Sequence, residues 1–336
     1  MSDQAHAVLP GRGCRTESAD VRADIAIVVG TYNRLDHVRQ CVASVLKETS
    51  RPFKLYVTDA GSTDGTIEYL KSIEDPRVIP VLVGRKLGQA RAYNEVFERI
   101  DTRYVCWISD DNEIVNGSLD VAAGILESDP RIGMVALKVR DVQGPFVEAP
   151  YIGGVSKLGI LNVNQGMLPT AVMRQVGFFS DEFRDYGIDP DLTAKVILAG
   201  YDVVYTRQIA IHHHRLWPAD AESQEHRQLM ERQSRSTALL AEKYRTLRRY
   251  DWTWKWKRAL WYVFRRLLGR RFSIHSRTTF LGLLPRDWNN ILATRYVRIF
   301  DPILTMNKPY HFRQRCPRWQ RAGRSAADRA APRSAL

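Results

Sequence analysis

Four short apolar runs, at residues 25–29, 54–58, 78–83 and 104–108, govern what this chain can become. The first ends at Gly30-Thr31-Tyr32-Asn33-Arg34 and the second at Asp59-Ala60-Gly61-Ser62-Thr63-Asp64-Gly65. The fourth ends at Ser109-Asp110-Asp111. Between the runs lie helix-spaced segments. Leu35, Val38, Val42, Val45 and Leu46 share one face, Ile67, Leu70 and Ile73 another, and residues 88–100 form a third helix. Strands alternating with helices at this spacing argue for βαβ units and a parallel sheet. Ligands of such sheets sit at the C-terminal strand ends, where each polar cluster falls.

The adjacent carboxylates Asp110 and Asp111 are the sharpest of these clusters. Like charges at a strand end repel unless a cation neutralises them. Carboxylates, water and phosphate oxygens are what Mg²⁺ or Mn²⁺ prefers, so the pair points to a divalent-metal site that holds a diphosphate. A solvated turn or helix cap uses the same residues, and the pair alone does not separate the two.

The chain has 336 residues, 44% of them hydrophobic, enough for one large α/β domain with an appendage. Charge is divided unevenly. Residues 1–226 hold 24 Lys and Arg against 31 Asp and Glu, whereas residues 227–336 hold 26 against 6. Six of the eight tryptophans lie in that basic part, and a basic aromatic tail suits an anionic surface. Cys14, Cys41, Cys106 and Cys316 have no zinc or redox spacing and read as free thiols of a reducing compartment. The first residues are polar and lack the apolar core of a signal peptide, and no apolar run approaches the ~20 residues that span a bilayer. The expected location is cytoplasmic, or peripheral on the inner face of the cell membrane.

Beyond Asp111 the pattern loosens. Residues 119–127 read as a helix, 134–139 as a strand, and 145–161 as an irregular Gly-containing stretch at a mixed-sheet edge. Residues 171–176 and 189–199 read as helices, 203–205 as a strand and 223–250 as one polar helix. The expected organisation is a disordered N-terminus (1–22), a catalytic domain (23–222), a helical extension (223–313) and a disordered basic tail (314–336).

Taken in order, Thr31-Tyr32-Asn33-Arg34, the Asp59–Thr66 cluster and Asp110-Asp111 resemble the inverting glycosyltransferases of family 2. The resemblance covers roughly residues 24–216. It implies an α/β, glycosyltransferase A-type fold: a Rossmann-like, mostly parallel central sheet flanked by helices. A C-terminal helical basic and aromatic extension would follow. It implies a nucleotide-sugar donor held by Thr31, Tyr32, Arg34, Asp59, Arg91 and Asp110. Tyr32 offers a ring to the base. Asp59 can accept from an imide N–H, which suits uracil or thymine and equally guanine. Arg91 lies in Leu87-Gly88-Gln89-Ala90-Arg91-Ala92-Tyr93-Asn94, where it would reach the base or diphosphate while Asn94 ties the helix to the strand ends. A solvated Arg91 is the plainer reading. The family commonly places a second acid where Ala60 stands and an acid where Ser109 stands.

The resemblance also implies that Asp111 ligates Mn²⁺ or Mg²⁺, with Asp110 assisting at ribose or metal-bound water. Ile211-His212-His213-His214 supplies an imidazole where family members often use one, and alignment favours His213 with His212 and His214 as neighbours. Tyr186-Gly187-Ile188-Asp189-Pro190-Asp191 resembles the stretch that carries the catalytic base. Asp189 takes that role ahead of Asp191, although Asp189 before Pro190 also fits a helix cap.

The tail, Trp252-Thr253-Trp254-Lys255-Trp256-Lys257-Arg258 with Trp261, Arg265 and Arg266, suits a lipid headgroup region or a helix packed on the body. Nucleic acid is a poor third reading, since no nucleic-acid module accompanies the charge. The combined expectation is a metal-dependent inverting glycosyltransferase that moves a sugar to a hydroxyl of a glycan or lipid-linked glycan. A degenerate family member that binds without turnover and a nucleotidyltransferase are the alternatives. The second lacks a Gly-rich phosphate loop after the first strand.

Overall fold

The computed structural model describes residues 23–144, 147, 150–154, 162–184, 186–206, 208–215, 224–244 and 303–305. The expected disordered segments 1–22 and 314–336 lie outside these residues, as does the Trp-rich stretch 251–272.

Five strands carry the first half: β1 (Ile25–Thr31), β2 (Phe53–Asp59), β3 (Val78–Leu82), β4 (Tyr104–Ser109) and β5 (Asn112–Ile114). Helices α1 (Leu35–Glu48), α2 (Thr66–Ser72) and α3 (Gln89–Phe97) join the first four. There follow α4 (Ser118–Ser128), β6 (Ile132–Ala136), β7 (Val139–Asp141), β8 (Tyr151–Gly154), β9 (Gly166–Pro169) and α5 (Thr170–Gln175). Then come α6 (Ile188–Leu198), β10 (Asp202–Tyr205), β11 (Ile211–His213), α7 (Gln224–Lys243) and β12 (Ile303–Thr305).

The main sheet runs β10-β6-β9-β4-β1-β2-β3. It is parallel except at β9, which lies antiparallel between β4 and β6. Register decides where the chemistry falls. Thr31 pairs across from Asp59, and Gly30 lies level with Ser109. The three polar clusters therefore share one edge of the sheet.

Both faces are covered, which explains why the strands read as unbroken apolar runs. Ala26, Val28, Val105 and Trp107 point towards α3, α5, α6 and α7. Ile25, Ile27, Val29, Cys106 and Ile108 point towards α1 and α4. Helix α1 buries Val38, Cys41, Val42 and Val45, the spacing of one helical stripe.

The structure departs from the sequence pattern in three places. The single strand expected at 134–139 is two, β6 in the main sheet and β7 in a second sheet ordered β12-β8-β7-β11-β5. The apolar run of β6 continues through Leu137, and Lys138 and Val139 after it are buried too, so the apolar pattern does not mark the break. Strand β9 inserts within the sheet, where only an edge was expected further upstream. It can do so because Gly166 has no side chain: a Cβ there would come within 2.9 Å of the Trp107 ring and of the Val135 carbonyl. The C-terminal extension is helical over Gln224–Lys243 but also contributes a strand, β12, antiparallel to β8.

Phe179 fills the space between α3 and β4. Its ring lies edge-on to Trp107 at 5.7 Å and against Tyr93 and Phe97 at 6.1 and 6.2 Å. Asn94 locks the same point, donating to the Phe179 carbonyl (2.8 Å) and accepting from its N–H (3.0 Å). Asn94 thus ties α3 to the turn after α5 rather than to the strand ends. Phe179→Ala is expected to cost about 3–5 kcal/mol and to lower the Tm by roughly 10 °C, read by a thermal melt. A shift under about 2 °C would mean that this cluster is not a core.

Candidate functional site

A cleft of about 490 Å³ opens at the C-terminal edge of β1, β2 and β4, lined by Thr31, Tyr32, Arg34, Asp59, Asp110 and Asp111 among others. The loops that build it are stitched together by their own polar groups. Asp59 Oδ1 accepts from the N–H of Gly61 and of Ser62 (2.8 and 2.9 Å), and its Oδ2 from the Ser62 hydroxyl (2.5 Å). Asn33, in the left-handed region, accepts from Thr63 N–H and donates its own N–H to Ser62 Oγ. Asp64 accepts from Leu35 N–H, the first residue of α1, and from the Thr66 hydroxyl. Residues 62–65 thus form a hydrogen-bonded turn whose Asp64 also holds the start of α1.

The acid pair is buried and balanced. Asp110 is 5% exposed and Asp111 8%. Arg34 Nη1 reaches both, at 2.9 and 3.0 Å, and the Thr31 hydroxyl donates to Asp110 at 2.9 Å. His213 Nε2 lies 3.4 Å from Asp111 Oδ1. On the other side of that ring, Nδ1 meets Asp141 at 3.0 Å and the Tyr151 hydroxyl at 3.1 Å. The second sheet places these groups, because His213 pairs level with Asp141 of β7 and with Asn112 of β5. Burial raises the Asp110 carboxyl, with Asp111 adding to this and Arg34 opposing it. Burial also acts to raise Asp111, but the bond and charge of His213, with Arg34, bring it down to about 2. Burial acts to lower His213, and Asp111 and Asp141 outweigh this and lift it to about 9.

The other imidazoles face elsewhere. His214 Nε2 meets Glu113 at 2.9 Å and Gln40 at 2.8 Å, and His212 lies 3.6 Å from Glu113. Of the three, His213 is the one beside Asp111.

Asp189 sits on the far side of β4. Trp107 Nε1 donates to the Asn164 carbonyl (2.9 Å) and to Asp189 Oδ1 (3.1 Å). Some of the Asp189 surface stays accessible, yet the protein packs around the carboxyl closely enough that burial raises it to about 8, the indole bond opposing.

Four expected site residues do not line the cleft: His213 stands beside Asp111, Asp189 beside Trp107, and Arg91 and Asp191 are engaged elsewhere. Arg91 is exposed on α3 and pairs with Glu95 at 3.7 Å, one turn along, so the solvated reading describes it. Asp191 is 0% exposed and is held by Ser180, Lys243 and Tyr244. Its first oxygen has no open side from which a substrate proton could be taken, and it is not among the cleft-lining residues.

The cleft also recruits residues that the motifs did not indicate. Tyr93 Oη accepts the Gly30 N–H at 3.0 Å and donates to the Ile108 carbonyl at 3.0 Å, joining α3 to β1 and β4. Lys86 Nζ rests 3.6 Å from the centre of the Tyr32 ring. Arg85, Arg184 and Tyr186 complete the wall. Gly88 makes that wall possible. It adopts φ +91°, and a Cβ there would fall 2.4 Å from Arg184 Cγ. Asp141 and Tyr151 gave no signal in sequence, because only the strand register puts them beside His213.

Among the described residues, no group of three or more His, Cys, Asp or Glu side chains is arranged to hold a metal. Asp111 and His213 offer two donors. The Asp141 carboxylate behind His213 is the support that metal-bound imidazoles ordinarily have.

A sheet of this order with its cleft at the C-terminal strand ends defines a glycosyltransferase A-type, Rossmann-like chain. The model described as "Glycosyl transferase family 2" matches residues 26–167, which supports a family 2 glycosyltransferase assignment for that part of the chain. It is 31% identical over 91 residues to a Bacillus subtilis glycosyltransferase named for teichuronic acid biosynthesis, covering 26% of this chain and 36% of that protein. It is 25% identical over 105 residues to an Escherichia coli UDP-Glc:alpha-D-GlcNAc-diphosphoundecaprenol beta-1,3-glucosyltransferase, covering 31% of this chain and 42% of that one. It is 23% identical over 235 residues to a Mycobacterium tuberculosis N-acetylglucosaminyl-diphospho-decaprenol L-rhamnosyltransferase, covering 57% and 76%. The chain thus spans well under half the length of the first two. The solved mannosyltransferase of Pyrobaculum calidifontis, in complex with GDP-Man and Mn²⁺, superposes with a TM-score of 0.50 at 19% identity over 84% of this chain and 88% of that one. That likeness speaks for the fold alone.

Because the folded state holds a proton on Asp189 that the unfolded chain releases, the stability it contributes is fully present below pH ~4. That stability is lost as the pH rises through about 8. Asp189→Asn stays neutral throughout. Its Tm relative to the parent is expected to rise between pH 5 and pH 9 by a few degrees, about 1 kcal/mol or more. A difference that stays flat across melts at pH 5, 7 and 9 would show that the carboxyl is not held protonated.

Proposed function

We propose that this chain is a metal-dependent inverting glycosyltransferase that moves a sugar from a nucleotide-sugar to a glycan hydroxyl. The observation that carries this reading is the arrangement across β4. Asp110, Asp111 and His213 stand at its end, and Asp189 is held beside the same strand through Trp107. Asp111 and His213 would hold the cation, with the donor's phosphate oxygens and water completing its shell, as such ions prefer. An imidazole ligand favours Mn²⁺ over Mg²⁺. When bound, the ion supplies charge stabilisation to the departing diphosphate.

The chain's own residues do the rest. Thr31 and Tyr32 face the nucleoside, and Arg34 neutralises the acid pair from the side away from His213. Asp59 holds the loop beneath, its oxygens already taken by Gly61 and Ser62, so it offers a base only a remaining lone pair. Asp189 takes the acceptor proton as the acceptor oxygen attacks the anomeric carbon. The bond from that carbon to the phosphate oxygen breaks with its electron pair going to the diphosphate, which inverts the centre. Burial raises this carboxyl to about 8, so its ionised form, the one that can take the acceptor proton, grows as the pH rises past neutral.

A lipid-linked glycan is the acceptor class we favour. The basic, Trp-rich residues 251–272 suit an anionic leaflet, and the E. coli and M. tuberculosis relatives are named for diphosphopolyprenol acceptors. Among the described residues no helix is long and apolar enough to cross a membrane. Peripheral contact on the inner membrane face is part of this reading. A second reading, binding without turnover, draws on Arg34, whose one nitrogen already sits on both carboxylates.

A panel of UDP-, GDP- and dTDP-sugars, screened for thermal stabilisation with Mn²⁺, identifies the donor, and its hydrolysis measures turnover. Asp111→Asn is expected to abolish hydrolysis, at least about a hundredfold, with a Tm close to the parent's. Full activity in the variant, or in EDTA, would sink the metal-dependent reading. Stabilisation by a donor without any hydrolysis or transfer would favour the binding reading.

A further inference from the structure

The segment from Ser180 to Asp191 carries Arg184 and Tyr186 of the cleft wall and, near its end, Asp189, which does not itself line the cleft. It takes in the short turn Asp181–Phe183 and the first turn of α6, and none of its described residues belongs to a strand. Helix α7 does. Near the middle of that helix, Ser236 Oγ donates to the Tyr186 carbonyl at 2.5 Å. The neighbouring Gly187 allows that approach: φ is +94°, and a Cβ there would lie 3.2 Å from Ser236 Cβ and 2.6 Å from the Phe183 ring. At its end, Leu240 and Tyr244 are buried in the core that also holds Phe183, Ile188 and Leu192.

The tightest grip falls on Asp191. Tyr244 Oη donates to Oδ1 at 2.7 Å, and Lys243 Nζ approaches the same oxygen at 2.9 Å. Ser180 Oγ donates to Oδ2 at 2.6 Å, and Lys195 Nζ lies 3.6 Å from it. Lys243 also reaches Glu182 (2.5 Å) and Ser180 (3.0 Å), so one ammonium ties both ends of the segment. A carboxylate with no exposed surface costs several kcal/mol to bury unless it is paired as fully as this one. Such an expense in a first helical turn calls for an explanation other than capping, since the N–H groups of α6 take none of these bonds.

We propose that Lys243, the last residue of α7, and Tyr244, which follows it, are positioning residues for the reaction. By gripping Asp191 they fix the first turn of α6 and so the approach of Asp189 to the cleft. The inference rests on the reading of Asp189 as the base. It makes α7 part of the working site although none of its described residues lines the cleft.

Two conservative variants test it. Tyr244→Phe removes one oxygen and keeps the buried ring, and Lys243→Gln removes the shared charge. With the donor found by the panel above, kcat of hydrolysis is expected to fall about ten- to a hundredfold, because small displacements of a reacting group are costly. The donor KM should stay within about twofold and the Tm within a few degrees. Leu240→Ala, which loosens α7 without touching Asp191, should lower the Tm but change kcat less than Tyr244→Phe does. A readout free of turnover is the Trp107 indole N–H resonance, identified by its loss in Trp107→Phe. It should shift in Tyr244→Phe, since its acceptor Asp189 moves. Unchanged kcat and an unmoved indole signal in both variants would overturn the proposal. A parallel fall of kcat and Tm in all three variants would also overturn it, leaving α7 as packing only. Asp189→Asn separates the two levels. If it turns over normally, the base reading fails, whereas an indole shift in Tyr244→Phe would still establish the positioning.

Discussion

Two neighbouring carboxylates at a strand end, both almost wholly out of water, cannot stand without positive charge close by. Much of this molecule is the supply of that charge. Arg34 comes from the loop after β1, and His213 comes from a second sheet whose register also brings Asp141 behind it. The result is a line of alternating charge, from Arg34 through Asp111 and His213 to Asp141, that crosses from one sheet to the other. Removing a link leaves an unpaired buried group. A cation entering with a diphosphate would join a line already balanced, so Arg34 would have to share Asp111 with it.

The parallel sheet, its order of motifs and the cleft edge were legible in the sequence, because period and punctuation agree over residues 25–109. Strands β1 and β4 are buried on both faces, and β1, β2 and β4 each end in polar residues that cannot continue a buried strand. The second half was less legible for a physical reason. Residues 132–137 are apolar without a break, and Lys138, where the chain passes from one sheet to the other, is itself buried, so polarity alone does not mark the change. The insertion of β9 depends on the absence of a side chain at Gly166, which a sequence shows only as one more glycine.

The site residues divide in the same way. Thr31, Tyr32, Arg34, Asp59, Asp110 and Asp111 all line the cleft, a placement legible because each lies at a strand's end or within three residues of it. Arg91 lies outside the cleft lining on an exposed face of α3, and helical position alone does not say which face meets the cleft. Asp191 was weighed as a base, but its environment comes from α7, more than fifty residues away in sequence. Tyr93, Lys86, Asp141 and Tyr151 act through tertiary neighbours and had no signature of their own.

The ammonium of Lys86 over the Tyr32 ring has its own consequence. The ring face is already in use, and any flat ligand that takes it must evict a cation first. Stacking there is therefore an exchange, and its net gain is the difference between two contacts of similar strength, each on the order of 1 kcal/mol. The evicted ammonium, next to Arg85 at the same rim, then becomes free to meet whatever negative charge the ligand carries. Selectivity at this mouth thus favours molecules that bring a ring and an anion together over those that bring either alone.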